Sequence, residues 1–222
     1  MKRGVRKAGL SAALIASAIV IAAAQKGVDL SSERVGRPPQ TFEPMVGTWV
    51  IAQDGADKVV MVDGRPWVAS KDNPTRLLIE SARRLYGTSN EELMDNAKQF
   101  AYFPVALLGS VQDFSNGTLT VKFKTISGAA DRASGIVFNV KPTGDWLAIR
   151  YNDTEHNVAL WEFHNGVRRS VKRGPEGAWP LDQSAWHELA ITIDGAALKA
   201  TLDGKPALEY TLGSEPVPGR RG

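Results

Sequence analysis

The stretch that decides the fold runs from Trp186 to Leu212, WHELAITIDGAALKATLDGKPALEYTL. Leu189, Ile191 and Ile193 alternate with other residues as far as Asp194-Gly195. Leu198, Ala200 and Leu202 repeat the pattern as far as Asp203-Gly204, and Leu208, Tyr210 and Leu212 form a third run. A period of two puts each apolar set on one face of a strand. Asp-Gly tolerates the positive φ angles of a tight hairpin turn, so the three runs fold back on one another as an antiparallel meander. A meander with one apolar face must bury that face against a second layer.

The same pattern extends upstream. Lys58 to Val62, Arg76 to Glu80, Thr118 to Thr125, Gly135 to Val140, Trp146 to Tyr151 and Val158 to Phe163 read as strands. Leu119, Val121, Phe123 and Thr125 share one face. Asn165-Gly166 is a two-residue hairpin signal leading into Val167 to Val171. Short strands at regular spacing predict an all-β protein: a two-sheet antiparallel jelly-roll sandwich. One segment departs from this. Ser89 and Glu92 make a capping box, and Leu93, Ala97, Phe100 and Ala101 recur at helical spacing, predicting one short inserted helix over 90–99.

The chain of 222 residues divides into three parts. Residues 1–24 carry Lys2, Arg3, Arg6 and Lys7, then fifteen uncharged residues from Leu10 to Ala24 ending in Ala22-Ala23-Ala24. That is the pattern of a cleaved signal peptide, and it predicts a secreted, periplasmic or extracellular protein with no membrane span after processing. An uncleaved anchor is the alternative, but the apolar run is shorter than the ~20 residues a span needs. Residues 25–41, with Ser31-Ser32, Gly36 and Pro38-Pro39, read as a linker. Residues 42–222 form the sandwich.

Charge and composition exclude several functions. The first 24 residues hold four of the 27 cations and no acid, leaving 23 cations against 24 acids. No basic footprint for nucleic acid remains beyond Arg168, Arg169, Lys172 and Arg173 on one hairpin, read as a solvated face. There is no cysteine, which removes thiolate catalysis and cysteine-bound metals. The three histidines, His156, His164 and His187, lack zinc-ligand spacing. Gly-x-Ser-x-Gly is absent. No cofactor is expected, and no catalytic residue can be named.

Three stretches, Gly135-Ile136-Val137-Phe138, Asn157-Val158-Ala159-Leu160-Trp161, and Trp186-His187-Glu188-Leu189 leading to Leu202-Asp203-Gly204-Lys205, resemble concanavalin A-like (laminin-G-like) jelly rolls of secreted bacterial proteins. Among these, the resemblance is to domains labelled 3-keto-disaccharide hydrolase or family-16-like glycosidase. It implies the jelly-roll fold and, more loosely, glycosidic chemistry. The Glu-x-Asp-x-x-Glu strand of family-16 glucanases does not occur here. Related domains also run a closing strand beyond the point where Gly219-Arg220-Arg221-Gly222 ends this chain. The resemblance therefore implies a missing last strand and association through an open edge.

Strand parity suggests a binding face. With Ile136, Phe138 and Val140 turned inward, Asn139 points outward; with Leu147, Ile149 and Tyr151 inward, Arg150 does too. Asn152 and Asn157 would stand at the rim and Trp161 nearby. Amides and a guanidinium suit sugar hydroxyls, and an aromatic plane suits the sugar's CH face. The oxygens of Asn152, Asp153, Glu155 and Asn157 could also hold calcium, although Asn and Asp favour turns in their own right. The expected function is binding of carbohydrate or a glycoconjugate. A glycoside hydrolase using two carboxylates, with Asp145, Glu155 and Glu162 nearest the polar face, and a purely structural or protein-interaction domain are the alternatives.

Overall fold

The computed structural model describes residues 27–64, 104–111, 114–128, 132–141, 145–164 and 167–213. The expected signal peptide, the 76–80 strand, the 90–99 helix and the chain beyond Gly213 lie outside the described residues. Among those residues there are twelve strands and no helix, so none long and apolar enough to cross a membrane.

Eight strands form two four-stranded antiparallel sheets. One has the order β12-β11-β10-β5, from Lys205–Thr211, Ala197–Leu202, His187–Asp194 and Gly117–Phe123. The other has the order β6-β7-β8-β9, from Ala133–Phe138, Trp146–Asn152, Asn157–His164 and Val167–Arg173. In the first sheet Leu189 stands opposite both Leu202 and Val121, and Ile191 opposite both Ala200 and Leu119. The turn between β11 and β12 places Asp203 at φ 49° and Gly204 at φ 74°, as a type I′ turn requires.

The core lies between these sheets. Phe123, Leu189, Ile191, Ile193, Leu198 and Leu202 from one sheet meet Ile136, Phe138, Ile149, Tyr151, Val158 and Leu160 from the other, all buried. Each large apolar side chain removed from water in this way contributes about 1.5–3 kcal/mol. The opposite, outward face of the β6–β9 sheet thereby becomes a surface of fixed register.

Two smaller ribbons complete the described structure. In one, β1 (Phe42–Val46) pairs with β4 (Val105–Leu108). Val105 and Leu107 from this ribbon pack with Val140, Val137 and Trp146. Val140 was expected in the main core beside Phe138. It belongs to this second cluster instead, because Asn139 adopts φ 55° and breaks the strand alternation at that point. In the other ribbon, β2 (Thr48–Asp54) pairs with β3 (Asp57–Asp63). Asp54 fastens it to the sandwich by accepting from Lys124 Nζ at 2.6 Å and Trp186 Nε1 at 2.8 Å.

The segment read as a linker has no strand over its described part, yet it is tied down. Ile51 N–H donates to the Arg37 carbonyl, and Gly36 N–H donates to the Ile51 carbonyl, both at 2.8 Å. The buried Glu33 carboxylate accepts from the backbone of Gln40 and Thr41 and from the Thr41 hydroxyl.

Candidate functional site

The outward face of the β6–β9 sheet follows from the pairing. Gly135, Arg150, Ala159 and Arg173 form one cross-strand row, and Val137, Ala148, Trp161 and Ser170 form the next. The β1–β4 ribbon packs on Val137 and Trp146, and Trp146 stacks on Phe163 with ring centroids 3.9 Å apart. That end of the face is taken up by apolar packing. The polar cluster lies toward Arg150, Trp161 and Arg173.

Arg150 is the centre of the cluster. Its Nη1 donates to Asn157 Oδ1 at 3.2 Å and its Nη2 to Glu155 Oε2 at 2.9 Å. The same Glu155 oxygen lies 3.0 Å from Arg173 Nη2. Partial burial opposes ionisation of Glu155, but the two guanidinia outweigh it and hold the carboxyl below its ordinary range. Three guanidinia surround the Trp161 ring: Arg168 at 4.4 Å, Arg150 at 5.6 Å and Arg173 at 5.7 Å from its centroid. Cations over an indole face are attracted by its quadrupole. Trp161 is therefore an aromatic plane flanked by cations.

Two donors in this cluster have no partner among the described residues. Asn157 is fully buried and its Nδ2 is unpaired, as is the buried Trp161 Nε1. The orientation of the Asn157 amide follows from Arg150, which can only donate and so must face the oxygen. A buried donor left unmatched costs about 1–3 kcal/mol, which marks such groups as needing an explanation.

Of the expected site residues, the structure brings together Arg150, Asn157 and Trp161. Asn152 is buried beside them, paired across the strands with Asn157, and its Oδ1 accepts from the Thr154 amide and hydroxyl within its own turn. Asn139 is not in the cluster. It lies past the end of β6, four residues from Gly135 and so about 13 Å along the strand, and its Oδ1 is buried without a partner among the described residues. Sequence reasoning did not place Glu155, Arg168 and Arg173 in the site. From sequence, Glu155 is one of the acids nearest the polar face, and Arg168 and Arg173 belong to the hairpin's solvated cations.

The turn considered for calcium spends its oxygens on the protein. Asp153, almost wholly buried, accepts from Arg132 Nε at 2.6 Å and Gln183 Nε2 at 2.8 Å. Its other oxygen lies 3.2 Å from the Tyr151 hydroxyl, which donates at 2.9 Å to the Trp179 carbonyl. Of the remaining acids, Glu162 pairs with Arg169 and Asp145 with His164.

The architecture is an all-β antiparallel sandwich with a donor-rich polar cluster on one outward sheet face. No family model and no curated protein matches the chain. Among solved structures it is similar to the carbohydrate-binding module CBM66 from Bacillus subtilis, with a TM-score of 0.54 and 15% identity over 82% of this chain and 85% of that one. Weaker likenesses are to a Bacillus licheniformis β-glucanase (TM-score 0.40, 20% identity, 50% of this chain and 53% of that one) and the Caenorhabditis elegans galectin LEC-6 (0.41, 21%, 50% and 76%). At such identities the likeness to the module is one of fold.

Proposed function

We propose that this domain binds carbohydrate on the outward face of the β6–β9 sheet, with Arg150, Asn157 and Trp161 as contact residues, and that it does so outside the cytoplasm, where residues 1–24 would direct it. The observation that carries this reading is the pair of unpartnered buried donors, Asn157 Nδ2 and Trp161 Nε1, beside a guanidinium fixed by two hydrogen bonds. Polar groups prearranged beside an aromatic ring are what a sugar site requires. The likeness in fold to a carbohydrate-binding module supports it.

The rival reading, a hydrolase of the 3-keto-disaccharide kind, needs two carboxyls on the face, one of them protonated to serve as acid. Glu155 is held ionised by two arginines, which suits positioning of those arginines and not proton donation.

A glycan array probed with residues 25–222, followed by product analysis on every hit, tests the proposal. Binding without turnover, weakened about tenfold or more by Arg150→Ala, is the expected result. Release of products would move the assignment to the glycosidase class. Binding unaffected by Arg150→Ala would remove the proposed face.

A further inference from the structure

The Glu155–Arg173 pair also constrains what kind of sugar the face can take; the inference rests on the carbohydrate reading above. Glu155 spends one carboxylate oxygen on the protein. Its Oε2 lies 2.9 Å from Arg150 Nη2 and 3.0 Å from Arg173 Nη2, while Oε1 has no partner among the described residues. Arg173 is used in the same one-sided way. Its Nη2 faces Glu155 and, at 3.4 Å, Glu176 Oε1, which leaves its Nε and Nη1 without a hydrogen bond among the described residues. Both side chains reach solvent, Glu155 31% exposed and Arg173 35%. An open acceptor and open donors therefore stand on the two sides of one ion pair. The Arg173 guanidinium carbon is 5.7 Å from the centroid of the Trp161 ring, so the pair borders the aromatic plane.

The pair is held from behind. The Glu155 carbonyl accepts from Gly177 N–H at 3.0 Å and the His156 carbonyl from Trp179 N–H at 2.9 Å, which ties the turn carrying Glu155 to the chain after β9. Arg173 is the last residue of β9, fixed in register opposite Ala159. Groups placed in advance cost a ligand little ordering. An ionised carboxylate accepts only, and a guanidinium donates only. A sugar ether, carboxylate or sulfate oxygen satisfies Arg173 but brings no hydrogen to Glu155, and the two anions add a like charge beside it. Two hydroxyls on adjacent ring carbons satisfy both groups, and each of the bonds is charge-assisted.

We infer that Glu155 and Arg173 determine the specificity of the face by reading a vicinal diol of a neutral sugar, one hydroxyl donating to Glu155 Oε1 and its neighbour accepting from Arg173 Nε or Nη1. A sugar whose donating hydroxyl is methylated, esterified or missing leaves Oε1 unmatched and binds less tightly.

The test starts from a glycan array probed with residues 25–222, carrying neutral gluco-, galacto-, manno- and fructo-oligosaccharides beside an oligogalacturonate and a sulfated galactan oligosaccharide. Calorimetric titration follows with the tightest-binding neutral oligosaccharide and its monodeoxy derivatives. The neutral probe should bind more tightly than either acidic one. Removing either of two adjacent hydroxyls should weaken it about tenfold, the worth of one hydrogen bond to a charged group, and removing any other should weaken it less. In Glu155→Gln, whose thermal midpoint reports that the fold is intact, the intact probe should lose about tenfold and the derivative lacking the donating hydroxyl much less, because its contact is already gone. Acidic probes that bind as tightly or more tightly would overturn this inference and leave the carbohydrate reading standing. A deoxy series on the unaltered domain in which no two adjacent positions matter would do the same. So would equal losses of the intact and deoxy probes in Glu155→Gln, which would give Glu155 a structural role. Binding to no member of the array would overturn both.

Discussion

Gly135 stands directly across from Arg150 in the β6–β7 pair, and a Cβ atom at Gly135 would lie 2.9 Å from both Cα and Cβ of Arg150 and closer still to the Ile149 carbonyl oxygen. The strand that carries the central guanidinium of the site therefore sits where it does because residue 135 has no side chain. Two backbones cannot approach in this way past even a methyl group.

Gly135→Ala forces β6 and β7 apart at this row. The expected cost is about 1–3 kcal/mol, the usual range for overpacking, together with loss of the Arg150–Asn157 geometry. Urea unfolding combined with ligand titration checks it. A variant of unchanged stability and affinity would show that the close approach has no consequence.

The Arg132–Asp153 pair anchors the turn between β7 and β8. Asp153 is 1% exposed and depends on Arg132, Gln183 and Tyr151 for its partners. Arg132→Ala leaves a buried carboxylate short of its cation and should destabilise the domain by about 3 kcal/mol or more. Asp153→Asn with Arg132→Ala should recover part of that loss, which a double-mutant cycle measures.

His187 makes stability depend on pH near neutrality. Its burial alone would lower its pKa, but Asp203 at 2.7 Å from Nδ1 and the Asp182 carbonyl at 2.8 Å from Nε2 favour the imidazolium and raise it above 6.5. The folded state then holds the proton more tightly than the unfolded chain. This stabilisation is complete below the unfolded pKa and is lost as pH rises through the folded one. Urea midpoints taken across that range should fall with pH, and His187→Gln should flatten the trend. A rising midpoint would reverse the assigned charge state.

Tyr151 acts in the same direction at alkaline pH. Its burial in the core, then the nearby Asp153 carboxylate, push its hydroxyl up to about 12. Ultraviolet titration should show one tyrosine ionising well after the others, and stability should decline from about pH 10, where unfolded tyrosine begins to lose its proton.

Ligand binding should depend little on pH over the range where His187 alters stability. The cluster is built of arginine, tryptophan and amide groups, with one carboxyl, Glu155, held ionised below its ordinary 4.5. Calorimetry at about pH 5.5 and about pH 8 should give affinities within roughly a factor of two for a glycan without titrating groups of its own. A steep fall toward acid pH would mean that a titrating group outside the cluster contributes.

Much of the sandwich is legible in the sequence because parity survives wherever strands are regular. Leu189, Ile191 and Ile193 face the core as their alternation requires, and the Asp203-Gly204 turn falls where the dipeptide sits. Parity fails where the backbone departs from it. Asn139 at φ 55° takes Val140 out of the main core, and nothing in the local sequence announces a positive φ there beyond asparagine's tolerance of it. On the β9 side, a bulge between Leu160 and Trp161 shifts the register. Counting by twos from the Asn165-Gly166 turn cannot then say which of Arg168, Arg169 and Arg173 meets Trp161. Glu155 enters the site from a turn, where period-two reasoning has no purchase.

Whether the Arg150–Asn157–Trp161 face binds the glycan can be read from the indole N–H signals of the six tryptophans. In a proton–nitrogen correlation spectrum of labelled domain, with the Trp161 signal assigned by its loss in Trp161→Phe, the tightest-binding glycan of the array is added to saturation. The Trp161 indole signal should move most, with the Arg150 amide, while Trp186, bonded to Asp54 just before β10, keeps its position. A Trp161 signal that stays still while Trp186 or residues of the β12-β11-β10-β5 sheet shift would contradict it.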